Sequence, residues 1–308
     1  MSHIVCFDIG GTFIKYGVFN PKGHLLFKSK MATPTSHEIP DVLNNKVKSL
    51  QHDFHLTAIG ISSCGLVDRE KGRILFSNNI QGYSGMNLGE RMFSLTQLPV
   101  SVENDVKSAC LGEIWQGAVK DKRNAVFLTL GTGIGCSIVM DGKIVNGSSG
   151  LAGELGHTVI VAGGKPCSCG RKGCFERYAA TSAFVQDYTE EALQKGVAVE
   201  NVSGETIMEL VKQRNPVAME VYERFIHYIS MGLTNVIHLL NPEKIIIGGG
   251  ITEGEGPFIQ DINIQLRNEV MDVYGNEGTV IASSLGNDAG LYGACYLALS
   301  RMSMKESV

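Results

Sequence analysis

Four potential metal ligands lie close together near the middle of the chain. His157 is followed by Cys167, Cys169 and Cys174, and the three cysteines fall in the run CSCGRKGC, whose two glycines permit a sharp turn. One histidine and three cysteines form a closed tetrahedral set, which is typical of structural rather than catalytic Zn²⁺. Free surface thiols are the alternative, which the tight clustering disfavours. The sequence therefore predicts a zinc knuckle, and the lack of a following H-x₃₋₅-H pair makes it unlike a DNA-reading finger.

Three glycine-rich loops each follow an apolar run: DIGGT at 8–12, GTGIG at 131–135 and IGGG at 247–250. Glycine lets the backbone approach a phosphate closely, and the free N–H groups of such a loop can surround it. A tight turn would explain any one loop, but three of them, two inside a repeated unit, favour phosphate binding. None fits the GxxxxGK(S/T) pattern of a P-loop. GTGIGC is also a poor dinucleotide-binding fingerprint, because no long helix opens behind it.

Two carboxylates stand at the ends of predicted strands, where ligands bind in α/β proteins. Asp8, beside the first glycine loop, is placed to hold Mg²⁺ through water, since Mg²⁺ takes one or two carboxylates and keeps several waters. A turn-capping aspartate is an equally simple explanation. Asp105, directly after Asn104, is placed to accept the proton of a hydroxyl group that attacks phosphorus. Both residues are also favoured helix N-caps, and the sequence alone leaves the two interpretations even.

Two glutamates flank the predicted knuckle, Glu154 before it and Glu176 after it. A sugar site needs several carboxylates, amides and imidazoles that bind hydroxyl groups in fixed directions. A zinc ion would hold His157 and both flanking segments in place for that purpose. Salt bridging on a solvated surface is the alternative for each glutamate.

The elements that must position these residues follow from hydrophobic patterning. The segment IVCFDIGGTFIKYGVF, with the turn NPKG and the run HLLFKSK, predicts strand, tight turn, strand, turn and strand. The pattern returns in AVFLTLGTGIGCSIVM, where DGKI supplies the turn and starts a third strand. Two copies predict two related α/β halves that face each other across a cleft. A strand that runs into a loop is predicted over 58–68, further strands over 100–105 and 243–251, and helices over 41–53, 87–97, 106–117, 204–214, 216–240, 257–271 and 288–302.

The bulk composition is that of an ordinary globular protein. The chain has 308 residues, 44% of them hydrophobic and 19% charged, which suits two domains or one large one. The net charge of −4 argues against nucleic acid or an anionic membrane as the main partner.

The N-terminus lacks the basic start and apolar run of a signal peptide, and no stretch of about 20 apolar residues occurs, so a cytoplasmic location is expected. The five cysteines outside the knuckle are scattered singly and are expected to be reduced and buried.

Together these residues make the chain similar to the ROK family (repressor, open reading frame, kinase) of sugar kinases, in the hexokinase–actin superfamily. The resemblance runs from DIGGT to the segment LGNDAGLYGA near the end of the chain. GELGH at 153–157 followed by CSCGRKGCFE at 167–176 resembles the family signature ExGH plus CxCGxxGCxE, a highly specific pairing. The resemblance implies an α/β fold of the actin-like, hexokinase-like (ribonuclease H-like) type with two lobes, each a mixed sheet with flanking helices, and a cleft between them. The implied lobes are 1–117 plus 290–308, and 118–289 with the zinc knuckle.

The resemblance also implies an activity, which is transfer of the γ-phosphate of ATP, with Mg²⁺, to the 6-hydroxyl group of a hexose or an N-acetylhexosamine. Glucose and N-acetylmannosamine are the foremost substrates, and a homodimer is expected. Asp105 matches the catalytic base of the family. The positions that match sugar-binding residues are Gly65, Asn79, Asn104, Asp105, Glu154, His157 and Glu176. The positions that match ATP- and Mg²⁺-binding residues are Asp8, Gly10, Gly11, Thr12, Thr132, Gly133, Gly249 and Gly250. The positions that match structural zinc ligands are His157, Cys167, Cys169 and Cys174.

Two departures from the family pattern lie near the implied sugar pocket. The loop that often reads GxPGxVD is SSCGLVD here, with Cys64, and Tyr83 stands where a tryptophan is common. They leave the kinase class intact but put the identity of the sugar in doubt, so β-glucosides, allose and fructose are further candidates.

Three other functions compete with the kinase. A sugar-responsive repressor of the same family would carry an N-terminal helix-turn-helix module, for which no room is expected because the first strand begins at about residue 4. A non-catalytic sugar-binding protein would not need every site position to be filled by the required residue type. A hydrolase on the same actin-like fold would not explain GELGH together with the knuckle.

Overall fold

The structure is a computed structural model, and it describes residues 2–252, 256–274 and 279–306. The chain forms two compact units. The first unit comprises Met1–Asp121, Gly147–Leu151 and Asn287–Val308, and the second comprises Lys122–Asn146 and Ala152–Gly286. Each unit has its own five-stranded sheet and its own hydrophobic core, as an α/β fold requires.

The first unit is built on a mixed sheet. Its strands are β1 (His3–Ile9), β2 (Phe13–Phe19), β3 (Leu25–Ala32), β4 (Leu56–Ser63) and β7 (Val100–Asn104), with β5 (Leu66–Asp68) and β6 (Arg73–Phe76) as a separate hairpin. The order across the sheet is β3-β2-β1-β4-β7, in which β1, β4 and β7 are parallel and β2 is antiparallel to both neighbours. Its helices are α1 (Ile39–Leu50), α2 (Leu88–Thr96), α3 (Asp105–Gln116) and α9 (Ala289–Glu306).

The second unit repeats this plan. Its strands are β8 (Ala125–Leu130), β9 (Ile134–Met140), β10 (Lys143–Ile144), β11 (Lys244–Gly248) and β12 (Val280–Ala282). The order β10-β9-β8-β11-β12 again places an antiparallel meander beside parallel strands. The predicted repeat of strand, glycine loop, strand, turn and strand is therefore confirmed. Its helices are α4 (Glu176–Ala179), α5 (Thr181–Gln194), α6 (Gly204–Lys212), α7 (Pro216–Leu240) and α8 (Phe258–Glu269).

The longest helix, α7, has the bounds that its sequence predicts. Asn215 is the N-cap, and its side chain accepts hydrogen bonds from the backbone N–H groups of Val217 and Ala218 at 3.0 and 3.1 Å. Pro216 occupies the first helical position, where the missing N–H costs nothing. Asn241 ends the helix in a left-handed conformation with φ of 43°.

The last helix, α9, packs closely against the sheet and against α3 in the first unit. A Cβ atom on Gly60 of β4 would lie 2.2 Å from the carbonyl oxygen of Ala294, and one on Gly293 would lie 1.7 Å from that of Ser108. Both contacts are too short for any side chain, so the glycines let backbone meet backbone. Buried Cys295 lies in the same small core.

The sequence patterns missed the helices α4 and α5, the hairpin β5–β6 and the strand β12. Helix α5 lies in a stretch for which the sequence predicts no element. Two of its four buried residues are small, so its apolar stripe is weak; the four are Ala183, Phe184, Tyr188 and Ala192. Strand β5 lies where the strand over 58–68 is predicted to run into a loop, β6 lies where no element is predicted, and only Ile74 of β6 is buried. The predicted helices all begin within two residues of the observed starts. In the part of the chain that the structure describes, every helix is too short or too polar to span a bilayer.

Candidate active site

Asp8 lies near the end of the central strand β1 and contacts two polar partners. In the pairing of β1 with β2, Asp8 stands opposite Lys15. The Lys15 ammonium group lies 2.9 Å from Asp8 Oδ2, and the hydroxyl of Ser62 on β4 donates to Asp8 Oδ1 at 2.7 Å. These contacts, rather than a turn cap, account for both carboxylate oxygens. The side chain is thereby held beside the glycine loop that begins at Gly10.

Asn104 and Asp105 join the end of β7 to the start of α3. Asn104 is the N-cap, because its Oδ1 accepts from the backbone N–H groups of Val106 and Lys107 at 3.0 and 3.1 Å. Its Nδ2 donates to the carbonyl oxygen of Gly65 and to Asp105 Oδ1, each at 2.8 Å. The backbone N–H of Val106 also donates to Asp105 Oδ1, at 2.9 Å. The N-cap interpretation of Asn104 is confirmed, and the same side chain orients the Asp105 carboxylate.

The surroundings of Asp105 disfavour its charged form. Burial raises its pKa most, and the negative charge of Asp8 raises it further. Hydrogen bonds from the backbone N–H of Val106 and from the Asn104 side chain lower it, but the balance brings the pKa of Asp105 to about 7. A carboxylate whose pKa lies near neutrality suits general-base catalysis, because it is substantially ionised and still accepts a proton readily.

The carbonyl group of Gly65 accepts the hydrogen bond that orients Asn104 beside Asp105. The φ of Gly65 is +98°, and a Cβ atom there would lie 2.4 Å from the carbonyl oxygen of Phe76. Only glycine fits both the conformation and the contact. The preceding residue, Cys64, donates its backbone N–H to the carbonyl of Ile9 at 2.9 Å, which ties this segment to the end of β1.

Cys64 and Tyr83, the two departures identified in the sequence, are both buried. Burial above all, and also the charges of Asp105 and Asp8, raise the pKa of the Cys64 thiol to about 11. The Tyr83 hydroxyl lies 3.0 Å from Ser63 Oγ. Cys64 is therefore a neutral thiol near two carboxylates and has none of the character of a reactive nucleophile.

The first glycine loop joins β1 to β2 at the surface of the first unit. The carbonyl of Gly10 accepts a hydrogen bond from the Thr33 hydroxyl at 2.7 Å. Gly11 and Thr12 are exposed, and a Cβ atom on Gly11 would lie 3.0 Å from the carbonyl oxygen of Asn79. The structure thus brings Asn79, which is also exposed, next to the phosphate-binding candidates of this loop.

The second glycine loop joins β8 to β9 in the second unit. The N–H of Gly131 donates to the carbonyl of Gly133 at 3.0 Å, and the carbonyl of Thr132 accepts from the Ser182 hydroxyl at 2.6 Å. A Cβ atom on Gly133 would lie 2.9 Å from Glu176 Oε2. A candidate phosphate loop and a candidate sugar ligand are therefore neighbours in this unit.

The third glycine loop follows β11 and lies beside the second. Gly249 has φ of +114°, and a Cβ atom there would lie 2.2 Å from the carbonyl oxygen of Leu130, the residue before the second loop. A Cβ atom on Gly250 would lie 3.0 Å from Glu205 Oε1. A cavity of about 170 Å³ opens here, with Gly250, Glu205 and the apolar side chains of Met208, Ile251 and Phe258 among its lining residues.

The four predicted zinc ligands come together in the second unit. Their ligand atoms all lie within 4.8 Å of one another. Sγ of Cys169 is 3.5 Å from Sγ of Cys174, and Nδ1 of His157 is 3.7 Å from Sγ of Cys167. Tetrahedral zinc with Zn–S bonds of about 2.3 Å separates two sulfur ligands by about 3.8 Å. The spacing therefore fits a Zn²⁺ ion.

The glycines of the knuckle make the turn that the sequence predicts. Gly170 and Gly173 have φ of +87° and +82°. A Cβ atom on Gly173 would lie 1.8 Å from the carbonyl oxygen of Val161, so no other residue fits there. The N–H of Cys167 donates to the carbonyl of Arg171 at 2.8 Å and closes the loop.

Two carboxylates flank the imidazole of His157, which ends the short 3-10 helix Leu155–His157. Glu176 Oε1 lies 3.6 Å from Nδ1, and Glu154 Oε2 lies 4.0 Å from Nε2. Because Nδ1 faces the cysteine cluster, Nε2 is the nitrogen directed to Glu154. The imidazole of His157 can therefore bind the metal of the knuckle through Nδ1 and hydrogen-bond to a sugar hydroxyl group through Nε2.

Every predicted site residue lies within the described part of the chain. The first unit contains Asp8, Gly10, Gly11, Thr12, Gly65, Asn79, Asn104 and Asp105, and the second contains Thr132, Gly133, Glu154, His157, Cys167, Cys169, Cys174, Glu176, Gly249 and Gly250. Sequence reasoning missed Lys15 and Glu205. Lys15 could have been found from the strand pairing, since residues equally distant from a tight turn stand opposite each other. Glu205 carries no comparable signal, because only the fold brings α6 to the loop after β11.

The ROK family model matches residues 4–301. A glucokinase of Streptomyces coelicolor is 35% identical over 306 residues, which cover 94% of this chain and 96% of that protein. The crystal structure of a ROK family glucokinase from Streptomyces griseus, in complex with glucose and AMPPNP, has a TM-score of 0.83 and 32% identity, and covers 97% of this chain and 99% of that one. The xylose repressor of Bacillus spizizenii is 30% identical over 287 residues, which cover 93% of this chain and 71% of the repressor.

Proposed function

Because the chain belongs to the ROK family, we propose that it is an ATP-dependent kinase that phosphorylates the 6-hydroxyl group of a hexose or an N-acetylhexosamine. The family resemblance and the hexokinase-like α/β fold expected from the sequence are confirmed. Similarity to glucokinases over nearly the whole chain supports a sugar kinase. N-acetylmannosamine and glucose are the proposed sugars, with β-glucosides, allose and fructose as the alternatives.

The environment of Asp105 is the observation that carries the proposal. In the proposed reaction its carboxylate accepts the proton of the sugar 6-hydroxyl group while that oxygen forms a bond to the γ-phosphorus of ATP. The bond from γ-phosphorus to the bridging oxygen breaks, and ADP leaves. Such transfers depend mainly on positioning and on charge stabilisation. A base with a pKa of about 7, held by Asn104 and Val106, meets the first requirement.

The phosphates are proposed to lie on the exposed glycine loops. Backbone N–H groups at Gly10, Gly11 and Thr12, and at Thr132 and Gly133, would bind phosphate oxygens. Lys15 adds a cation beside the first loop. Mg²⁺ bound with the nucleotide would neutralise charge on the phosphates, and Asp8 would hold it through water because both of its oxygens already have partners.

The cavity beside the third loop suits the adenosine part of ATP. Gly249 and Gly250 let the nucleotide approach the backbone, as the family resemblance implies. The apolar side chains of Met208, Ile251 and Phe258 would contact the base. Glu205 offers a carboxylate to the ribose hydroxyl groups.

Sugar recognition is proposed for Asn104 and Asp105, for Gly65 and Asn79 near them, and for Glu154, His157 and Glu176. Carboxylates and the outward Nε2 of His157 would bind hydroxyl groups in fixed directions. Asn104 directs both amide hydrogens to protein oxygens, so a sugar contact through Nδ2 requires it to exchange or share one of these bonds.

The knuckle is proposed to hold a structural Zn²⁺ ion through His157, Cys167, Cys169 and Cys174. The ion would fix the segment from Glu154 to Glu176, so that these side chains keep their orientation. We also propose that the protein forms a homodimer, which light scattering can measure directly.

A repressor is the second candidate function. It is favoured by the similarity to the xylose repressor, although the chain spans 71% of that protein. A non-catalytic sugar-binding protein would share the pocket but would not need a base with a raised pKa. Both alternatives predict sugar binding without ADP formation.

A coupled assay of ADP release separates these functions. Zinc-replete protein and Mg-ATP are tested with glucose, N-acetylmannosamine, N-acetylglucosamine, mannose, allose, fructose and cellobiose, and phosphorylated product is identified by mass spectrometry. We expect one sugar to exceed the others by orders of magnitude in kcat/KM, with phosphate on O6. ADP release that does not depend on sugar, or no release with any sugar that binds by calorimetry, would reject the kinase.

A further inference from the structure

A hydrogen-bond chain begins at the hydroxyl of Tyr83. This side chain is fully buried, and its hydroxyl oxygen lies 3.0 Å from Ser63 Oγ. The Ser63 hydroxyl donates its hydrogen to the carbonyl of Cys64 at 3.2 Å. When the single hydroxyl hydrogen of Ser63 is directed to the Cys64 carbonyl, the Tyr83 hydroxyl is the donor in the contact with Ser63. The Tyr83 hydroxyl thereby fixes Ser63, and through it the peptide group after Cys64.

That peptide group leads directly to Gly65. The N–H of Cys64 is bonded to the carbonyl of Ile9, and the Cys64 carbonyl is bonded to Ser63, so both sides of Cys64 are fixed. Gly65 then presents its carbonyl oxygen to Asn104 Nδ2 at 2.8 Å.

The chain ends at Asp105. Asn104 Nδ2 carries two hydrogens, and it directs one to Gly65 and the other to Asp105 Oδ1. The amide is planar, so the Gly65 carbonyl, together with the N–H groups of Val106 and Lys107 that donate to Oδ1, sets the direction of the bond to Asp105. We propose that Tyr83 is a positioning residue for the Asp105 carboxylate, acting through Ser63, Gly65 and Asn104. This role rests on the proposed function only in so far as Asp105 is the base.

The proposal has a measurable electrostatic consequence. The hydrogen bond from Asn104 lowers the pKa of Asp105 against the larger effect of burial. Losing the Tyr83 hydroxyl would free Ser63 and the following segment, so the bond from Asn104 would lengthen or misalign. The pKa of Asp105 would then rise further. If Tyr83 only fills space in the core, removing its hydroxyl would not change the pKa of Asp105, because the ring alone would account for the contribution of the side chain to packing.

Tyr83→Phe tests the proposal, because it keeps the ring and removes the hydroxyl. The titration of the Asp105 carboxyl is followed by ¹³C NMR, with the resonance identified from its loss in Asp105→Asn, and the pH profile of kcat is measured with the best sugar. We expect the Asp105 titration and the acid limb of kcat to move together to higher pH. We also expect kcat at pH 7 to fall by about two- to threefold, with KM for ATP unchanged.

Tyr222→Phe is the matched control. Tyr222 is another buried tyrosine, and its hydroxyl donates to Asp261 Oδ2 at 2.7 Å in the second unit. It should leave the Asp105 titration unchanged. Ser63→Ala should reproduce the shift of Tyr83→Phe, and the double variant should shift no further than either single one, because both interrupt one chain.

An Asp105 titration that is the same in wild type and Tyr83→Phe would overturn the proposal, as would equal shifts in Tyr83→Phe and Tyr222→Phe. If the wild type transfers no phosphate, the kinase proposal fails. The NMR titration still decides whether Tyr83 positions Asp105, so the two failures remain distinguishable.

Discussion

Asp8 and Asp105 stand at the ends of two parallel strands, β1 and β7, with β4 between them, and the charge of Asp8 raises the pKa of Asp105. The two carboxylates differ in their partners. Asp8 has a lysine and a serine hydroxyl, whereas Asp105 has only backbone and amide donors. The sheet therefore holds two acidic groups with distinct environments, as separate roles in metal binding and proton transfer would require.

The rate of phosphorylation should depend on pH through Asp105. A base must be deprotonated to act, so kcat should fall as the pH drops through about 7. Asp8→Asn removes the charge that raises the pKa of Asp105, so the acid limb should move to lower pH even though the overall rate is reduced. Asp141→Asn, at an exposed position in the second unit, is the control. An acid limb that is identical in all three proteins would contradict the coupling of Asp8 and Asp105.

Asp105→Asn should separate sugar binding from turnover. The amide keeps the size of the side chain but cannot accept the proton, so kcat should fall by about 10²- to 10⁴-fold. Sugar affinity, measured by calorimetry, should stay within a few-fold of wild type. Turnover near the wild-type value would remove Asp105 from the role of base.

Gly65→Ala should destabilise the protein more than Gly142→Ala. Both glycines have positive φ, of 98° and 75°, but a Cβ atom on Gly65 meets backbone at 2.4 Å whereas one on Gly142 meets nothing within 4 Å. Strain alone costs on the order of 1 kcal/mol, and the steric clash at Gly65 should roughly double or triple the loss. Urea unfolding of the two variants measures the difference in the free energy of unfolding. Equal decreases would show that the backbone around Gly65 rearranges to accommodate the added Cβ atom.

Cys169→Ser should lower both metal content and thermal stability. We expect about one zinc ion per chain in the wild-type protein and a clear loss in the variant, because a serine hydroxyl is a poor zinc ligand. Cys6→Ala is the control, since Cys6 is buried outside the cluster and its loss should affect stability but not zinc. Metal analysis that finds no zinc in folded wild-type protein would refute the knuckle.

Local signals predicted the fold well where they were strong. The apolar residues of 216–240 recur at three- and four-residue spacing and Asn241-Pro242 follows them, and α7 has these bounds in the structure. Helix α5 lacked such marks, since it begins at Thr181 without a side-chain cap and buries alanines. The short hairpin β5–β6 was invisible for a related reason, because its outward residues Leu75 and Phe76 are apolar and hide the alternation.

The site was predictable in its residue types but not in its connections. The sequence left Asn104 between an N-cap and a site residue, and the structure shows the cap together with the bond to Asp105. Pairings such as Asp8 with Lys15, or Gly133 with Glu176, depend on strand register and on the path of the loops. The pairing of Asp8 with Lys15 follows once the turn between β1 and β2 is placed, whereas the approach of Gly133 to Glu176 depends on the fold of the whole second unit.

The place of α9 in the first unit has a consequence for synthesis of the protein. The second unit has its whole sequence once Gly286 is made, whereas the first unit needs residues from Asn287 onwards to cover β1, β4 and α3. Domains commonly fold as they leave the ribosome, starting with the N-terminal one. Here the order should be reversed, and the sheet of the first unit should keep an apolar face uncovered until α9 has been made. A nascent chain stalled before α9 should therefore be captured by chaperones even though its second unit is already native.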